Sequence, residues 1–387
     1  MKVAILTQPL HTNYGGTLQA YALQKVLINL GHEPETINYR SKIKRPLFIR
    51  VVLSKIKRIV LCRKITFDFT TQDRINIRKH HQSFIDTRLN YSEEINGTEG
   101  LRDYILKNNY GAVIIGSDQT WRPIYSPRID SFFLDFLSDV NDIKKMAYAA
   151  SFGTDKWEFT ESQTNLFKLL LSKFNYVSVR ESSGVKLCSE KFGLKAELVL
   201  DPTLLLTFED YTHLLDNDYI NLHKGKVFSY VLDENYDKKN FIDTVASTLR
   251  TTSFYTYPKK ITKDEYVIRN YSEYEYPPIE YWISSFKAAE FIVTDSFHGT
   301  VFSIIFNKPF IAIANEERGK ARFTSLLEMF GLERRLVSNL DDVDLKLVNE
   351  KINYGPINEK INYGPINEKI AYFREECLKK LQLMLIK

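Results

Sequence analysis

The segment that most constrains this chain is Thr294-Asp295-Ser296-Phe297-His298-Gly299-Thr300. It lies between the apolar runs Phe291-Ile292-Val293 and Val301-Phe302-Ser303-Ile304-Ile305-Phe306. The first run reads as a buried strand and the second as the body of a helix. The polar residues therefore fall at the strand's carboxyl end and in the helix's first turn, where open α/β sheets bind ligands. Unpaired N–H groups and the positive end of the helix dipole suit such a turn to anions. Asp295 and Ser296 are expected to cap the helix. His298 is a candidate for anion binding or proton transfer near neutral pH.

Strand-then-helix units recur along the chain. Val3-Ala4-Ile5-Leu6 reads as a short buried strand, His11 to Gly16 as a loop, and Thr17 to Leu30 as a helix stopped by Gly31. Further strands are expected at Ala112–Ile115, Met146–Ala150, Tyr176–Val179 and Leu198–Leu200. A second series begins near Lys226, with strands at 227–231, 253–257, 291–293 and 309–313. Such alternation predicts parallel sheets covered on both faces. A chain of 387 residues has room for two domains. The expected architecture is two Rossmann-like α/β domains, residues 1–205 and 206–348, with a ligand cleft between them.

Residues 41–109 read as a largely helical insertion in the first domain. Ser41 to Lys64 holds nine basic residues and no acidic one, and Val52, Leu53, Ile56, Ile59 and Val60 recur at helical spacing. The whole chain carries a net charge of +5, so the rest of it is net acidic. Two readings of the segment stand: a helix lying on an anionic membrane surface, or a solvated helix packed on its own domain. Nucleic acid is not expected, since no nucleic-acid-binding motif accompanies the charge.

The nine residues Asn349–Ile357 recur identically at 358–366, and a third copy starts at Asn367. Copies of that length cannot share one helix face, and Gly-Pro breaks helices. A loop is expected there. A closing amphipathic helix follows, with Ile370, Phe373, Cys377, Leu381 and Met384 on one side. The three cysteines are widely spaced and read as free thiols of a reducing compartment. The first apolar run is too short for a signal peptide, and no run reaches the ~20 residues of a membrane span. A cytoplasmic location is expected.

Several strand ends carry candidate site residues. Asn13-Tyr14-Gly15-Gly16 precedes a helix and is either a close-approach turn for a ligand or a plain tight turn. Ser117 and Asp118 are placed to hold a sugar hydroxyl and Trp121 to stack on a sugar ring; the alternative is a helix cap and a core tryptophan. Arg180 is expected to emerge at the mouth of its strand, where a guanidinium recognises carboxylate or phosphate, or else to pair with Glu181 or another acid. Arg318, Lys320 and Arg322 follow the last strand of the second series and are candidates to add positive charge to the same cleft, with a solvated loop the expectation for at least one of them. The seven histidines are scattered without ligand spacing, so no metal is expected.

In order and spacing, these motifs resemble the polysaccharide pyruvyl transferases. The residues that carry the resemblance are Asn13 to Tyr21, Ile115 to Trp121, Tyr148 to Gly153, Ser178-Val179-Arg180-Glu181, Asp201-Pro202-Thr203 and Thr294 to Thr300. The insertion and the repeat are expected to lie outside it. The resemblance implies a fold similar to the two-domain GT-B glycosyltransferases. It implies phosphoenolpyruvate as co-substrate without other cofactor, and a sugar hydroxyl pair of a cell-surface polysaccharide precursor as acceptor. The product would be a cyclic ketal, with phosphate released. On this analogy His298 and Arg180 are catalytic, and Arg180, Ser296, His298, Gly299 and Arg322 hold the donor. Asn13, Gly15, Gly16, Ser117, Asp118 and Trp121 line the acceptor side. Some branches have an arginine where this chain has Ser296, and Arg322 is the candidate replacement. A lipid-linked acceptor would give the basic segment a use at the inner face of the cell membrane. The rival readings are a GT-B enzyme using a nucleotide sugar and a glycan-binding member without turnover.

Overall fold

The computed structural model describes residues 1–40, 70–126, 128–259, 271–314, 319–349 and 364–386. The basic segment 41–64, Cys62, Arg318 and most of the nine-residue repeat lie outside them.

The first sheet has six strands: β1 (Lys2–Leu6), β2 (Glu33–Thr36), β5 (Ala112–Ile115), β6 (Lys144–Ala150), β7 (Tyr176–Val179) and β8 (Glu197–Leu198). Their order is β2-β1-β5-β6-β7-β8, and every pairing is parallel. Two short strands, β3 (Tyr39–Arg40) and β4 (Ile95–Asn96), pair beside it. The second sheet has the order β10-β9-β11-β12-β13, also parallel. It comprises β9 (Val227–Tyr230), β10 (Ser253–Tyr255), β11 (Phe291–Thr294), β12 (Phe310–Ile313) and β13 (Leu336–Val337). β1, β5, β9, β11 and β12 are buried almost throughout, as strands covered on both faces must be.

Helix α1 (Tyr14–Asn29) starts three residues earlier than its apolar spacing indicated. The Asn13 side chain accepts from Gly16 N–H and caps it, so Gly15 and Gly16 belong to the first helical turn rather than to a loop. Within 41–109, the helices Thr71–Arg88 (α2) and Gly97–Lys107 (α3) are described. Strands β2, β3, β4 and β13 were not expected. They are two to four residues long, and their sequences lack a run of alternating or continuous apolar residues.

One apolar cluster runs from β1 and α1 through Trp282 and Phe302 to the chain's last helix, so the two sheets share a core. That last helix, α4 (Gly364–Ile386), buries Ile366, Ile370, Cys377, Leu381 and Leu385. Pro365 sits in its first turn, where a missing N–H costs nothing, so the Gly-Pro of the second copy begins a helix instead of breaking one. The helix closes onto the first sheet: Leu200 N–H points to Cys377 Sγ at 3.4 Å, Arg374 donates to the carbonyls of Leu204 and Leu206, and Lys380 pairs with Glu197 at 2.6 Å. Cys188 and Cys377 are buried free thiols. No helix among the described residues is long and apolar enough to cross a membrane.

Candidate active site

The carboxyl ends of β5 and β7 and the start of the helix after β11 meet in one buried cluster. The helix following β11, α5 (Phe297–Ile305), is capped by Ser296, whose Oγ accepts from Gly299 N–H. Asp295 does not cap that helix. Its carboxylate accepts from the backbone N–H groups of Leu232 and Asp233 and pairs with Lys238 at 2.8 Å, fixing the turn after β9. Gly299 has no room for a side chain, because a Cβ there would fall 2.3 Å from Thr294 Oγ1.

His298 is more than nine-tenths buried and faces two elements of the first half of the chain. Its imidazole lies against Gly15, where an added Cβ would sit 2.1 Å from Nδ1. Its Nε2 is 3.7 Å from Asp201 Oδ2, close enough for electrostatic coupling and too far for a hydrogen bond. Nε2 has no hydrogen-bond partner among the described residues. A buried ring nitrogen left this way is uncommon and fits a site that a ligand completes.

Of its two sequence readings, Arg180 follows the pairing with acids, and the acids are buried ones. Its side chain turns inward instead of emerging at the strand's mouth, and only 1% of it is exposed. Nη1 donates to Asp201 Oδ2 at 2.6 Å and to Ser117 Oγ at 3.1 Å; Nη2 donates to Asp118 Oδ1 at 3.3 Å. Nε lies 4.0 Å from Glu181 Oε2 and has no hydrogen-bond partner among the described residues. The guanidinium also stacks on Phe297, 4.5 Å from the ring centre, and Arg322 approaches the same ring at 5.5 Å. Two cations and three carboxylates thus share one buried site.

The electrostatics follow from that crowding. Burial pushes the Asp201 carboxyl up, but His298, Arg180 and Thr203 more than offset it and hold it well below the usual carboxylate range. Asp118 is also held low: Arg180, His298 and Arg322 outweigh its burial. Burial dominates at Glu181 and raises its carboxyl despite both arginines. Burial and then repulsion from Arg180 pull Arg322 down to about 10.

Asp118 adopts a left-handed backbone (φ 73°) and bridges to Ala150, next to Ala149 at φ 55°. Backbone strain of this kind concentrates at functional sites. Asn13 Nδ2 reaches Asp118 Oδ2 at 3.4 Å. Asn13, Gly15, Ser117, Asp118, Arg180, Ser296, His298, Gly299 and Arg322 thus fall in or against one cluster. Gly16 lies in the adjoining helical turn.

Trp121 does not join them. It is fully buried, stacks on Phe133 at 5.3 Å and donates its indole N–H to Phe132 O. It is a core tryptophan with no face open to a sugar. Asp201 carries the resemblance without a role of its own, Glu181 enters only as an alternative partner of Arg180, and Phe297 has no role in the sequence reading. The signal for Asp201 was its position directly after a strand and before Pro202, the same strand-end logic that selected His298. No metal-binding group of three or more His, Cys, Asp or Glu occurs among the described residues.

The family model for polysaccharide pyruvyl transferase matches residues 13–317. The chain belongs to this family. The match includes the 41–109 insertion within its bounds, contrary to expectation, and ends before the repeat. No curated protein matches the sequence. Among solved structures, the chain is similar to a UDP-GlcNAc 2-epimerase of Methanocaldococcus jannaschii in complex with UDP-GlcNAc and UDP. The identity is 14%, the TM-score 0.52, and the match covers 97% of this chain and 100% of that one. It is likewise similar to a UDP-N-acetylglucosamine 2-epimerase of Rickettsia bellii, at 11% identity and TM-score 0.51, over 98% of each chain. At such identities the likeness establishes the fold: two Rossmann-like parallel sheets of GT-B type.

Proposed function

We propose that this family member moves the pyruvyl group of phosphoenolpyruvate onto two hydroxyls of one sugar in a polysaccharide precursor. The observation that carries the reading is the buried His298, coupled to Asp201, at a helix N-terminus flanked by Arg180 and Arg322. A small dense anion suits that arrangement. Family membership supports a transferase acting on polysaccharide.

In the proposed reaction, the donor's methylene carbon accepts a proton and becomes a methyl group. The neighbouring carbon takes on positive character, and one sugar hydroxyl adds to it and loses its proton. The second hydroxyl then displaces phosphate, closing the ketal, and its proton leaves with the phosphate. His298 delivers or relays the first proton, a step worth about 10²–10⁴-fold. Asp201 stabilises the imidazolium and holds its orientation. Arg322 receives the donor's phosphate or carboxylate. Arg180, clamped by Ser117, Asp118 and Asp201, keeps Asp201 in place and offers Nε to the same anion. An attachment to anionic lipid through residues 41–64 belongs to the same proposal, and liposome sedimentation tests it separately.

The test is phosphate release from phosphoenolpyruvate with a cell-envelope glycan extract as acceptor, comparing wild type with His298→Ala. Acceptor-dependent release by wild type and its loss in a folded variant are expected. Near-normal release by the variant would remove His298 from the chemistry, and release without acceptor dependence would remove the transfer.

A further inference from the structure

Beside the buried cluster lies a cavity of about 460 Å³, lined among others by His11, Arg74, Arg78, Tyr257, Lys259 and Tyr276. It is built by the loops that carry the candidate active site. His11 and Thr12 immediately precede Asn13, and Leu232 in its wall donates its N–H to Asp295, three residues before His298. Across the shared residues Tyr257, Pro258 and Lys259 it continues into a second cavity of about 850 Å³, whose lining includes Tyr236, Lys239 and Tyr255 together with the carboxylates of Glu234, Asp243 and Glu273. Together they form one groove that starts beside the cluster and runs between the edge strand β10 and the helix Tyr236–Thr248.

The two ends of the groove differ in chemistry. At the near end, Arg74 and Arg78 stand one turn apart on α2, and among the described residues no Asp or Glu lines that cavity. Arg78 Nη1 lies 2.9 Å from His11 Nε2. Burial, then Arg78 and Arg40, lower His11 to about 4, so at neutral pH its ring is uncharged and accepts from Arg78. Lys259 pairs with Glu273 at 3.1 Å, so the positive charge of this end rests on the two arginines. At the far end Tyr236 is 77% and Tyr255 69% exposed, although tyrosine rings ordinarily cover more of themselves. Exposed aromatic rings bordering a groove offer flat apolar faces with a polar edge, which match the faces of sugar rings.

We infer that this groove is the acceptor site and takes a saccharide of several rings, stacked on Tyr255 and Tyr236, with a negatively charged group held by Arg74 and Arg78. The inference rests on the transferase reading and adds to it the acceptor's length and charge. A groove of this size exceeds the needs of a monosaccharide, and paired arginines recognise carboxylate or phosphate through forked hydrogen bonds.

The test is binding of the intact protein to an array of oligosaccharides of one to six rings, carrying uronate, phosphate or no charge. Wild type is expected to prefer charged glycans of several rings. Arg74→Glu with Arg78→Glu should lose roughly ten- to hundred-fold in affinity for the charged set. Tyr236→Ala with Tyr255→Ala should lose the advantage of longer over shorter glycans. All four side chains are at least partly exposed, so these variants are expected to fold. Binding confined to neutral or single-ring glycans, absent binding, or binding unchanged in both variants overturns the assignment. Inorganic phosphate binding as tightly as a charged oligosaccharide also overturns it, by reducing the groove to a simple anion site. The thermal shift produced by phosphoenolpyruvate should be of wild-type size in both variants. Its absence in wild type would sink the donor reading without bearing on the groove.

Discussion

His298 rests against the Cα of Gly15, so close that a methyl group on that glycine would sit 2.1 Å from the imidazole Nδ1. The two residues lie 283 positions apart, and they join the first turn of α1 to the first turn of α5. Gly15 is thus required for close approach and not for an unusual backbone. Gly15→Ala should displace the imidazole. We expect kcat to fall about 10²-fold, the cost of a misplacement on the order of 1 Å, with a loss of about 1–3 kcal/mol from overpacking. Turnover and thermal unfolding of the same preparation check both.

Arg180 is held by two carboxylates in a buried site, so its removal deprives Asp201 and Asp118 of a close cationic partner. Arg180→Ala should cost about 3–5 kcal/mol of stability. Arg180→Lys should not restore it, because a single ammonium cannot replace the fork to Ser117, Asp118 and Asp201. Denaturant unfolding decides the matter. A purely donor-binding arginine would raise KM and leave stability unchanged.

The pH dependence of stability follows from the carboxyl shifts. Asp201 and Asp118 are lowered in the folded state, so the stability they contribute is full above the unfolded carboxylate range, near pH 4, and is lost as pH falls below it. Glu181 is raised and acts in the opposite sense: ionised burial costs stability that protonation returns. Wild type should therefore exceed Asp201→Asn in midpoint at pH 7, and the gap should narrow from pH 4 to pH 2.5. Glu181→Gln should show a smaller deficit, or a gain, at pH 7. Midpoints measured across that range test the sign of each.

Trp121 fills the core between Phe133 and Phe152. Trp121→Ala should cost about 3–5 kcal/mol, while Trp121→Phe should keep the fold and leave glycan affinity unchanged. A specific loss of glycan binding in the phenylalanine variant would return this residue to the acceptor side.

Much of the architecture was legible because buried parallel strands write themselves as short apolar runs. Phe291 to Thr294 and Ala112 to Ile115 are examples, and the residues immediately after them are the site. What sequence could not convey was direction. Arg180 sits where expected along the chain, yet its guanidinium turns inward because Asp201 and Asp118, 21 and 62 residues away, are waiting there. Trp121 could stack on a sugar or fill a core equally well by local pattern, and only the packing of Phe132 and Phe133 decides it. The contact between Gly15 and His298 depends on how the two halves of the chain dock, which no local periodicity encodes. The groove is illegible for the same reason: its arginines come from α2, Tyr255 from β10 and Tyr236 from the start of the helix Tyr236–Thr248.

The central claim, that the His298 site receives phosphoenolpyruvate, is tested most directly by the thermal midpoint of the purified protein with that ligand and, separately, with UDP-N-acetylglucosamine. A ligand bound only by the folded state stabilises it by about 2.7 kcal/mol at a hundred times its Kd. The account predicts a clear rise with phosphoenolpyruvate, lost in Arg322→Ala, and none with the nucleotide sugar. A rise with the nucleotide sugar alone would contradict it and mark the cleft as that of a nucleotide-sugar enzyme.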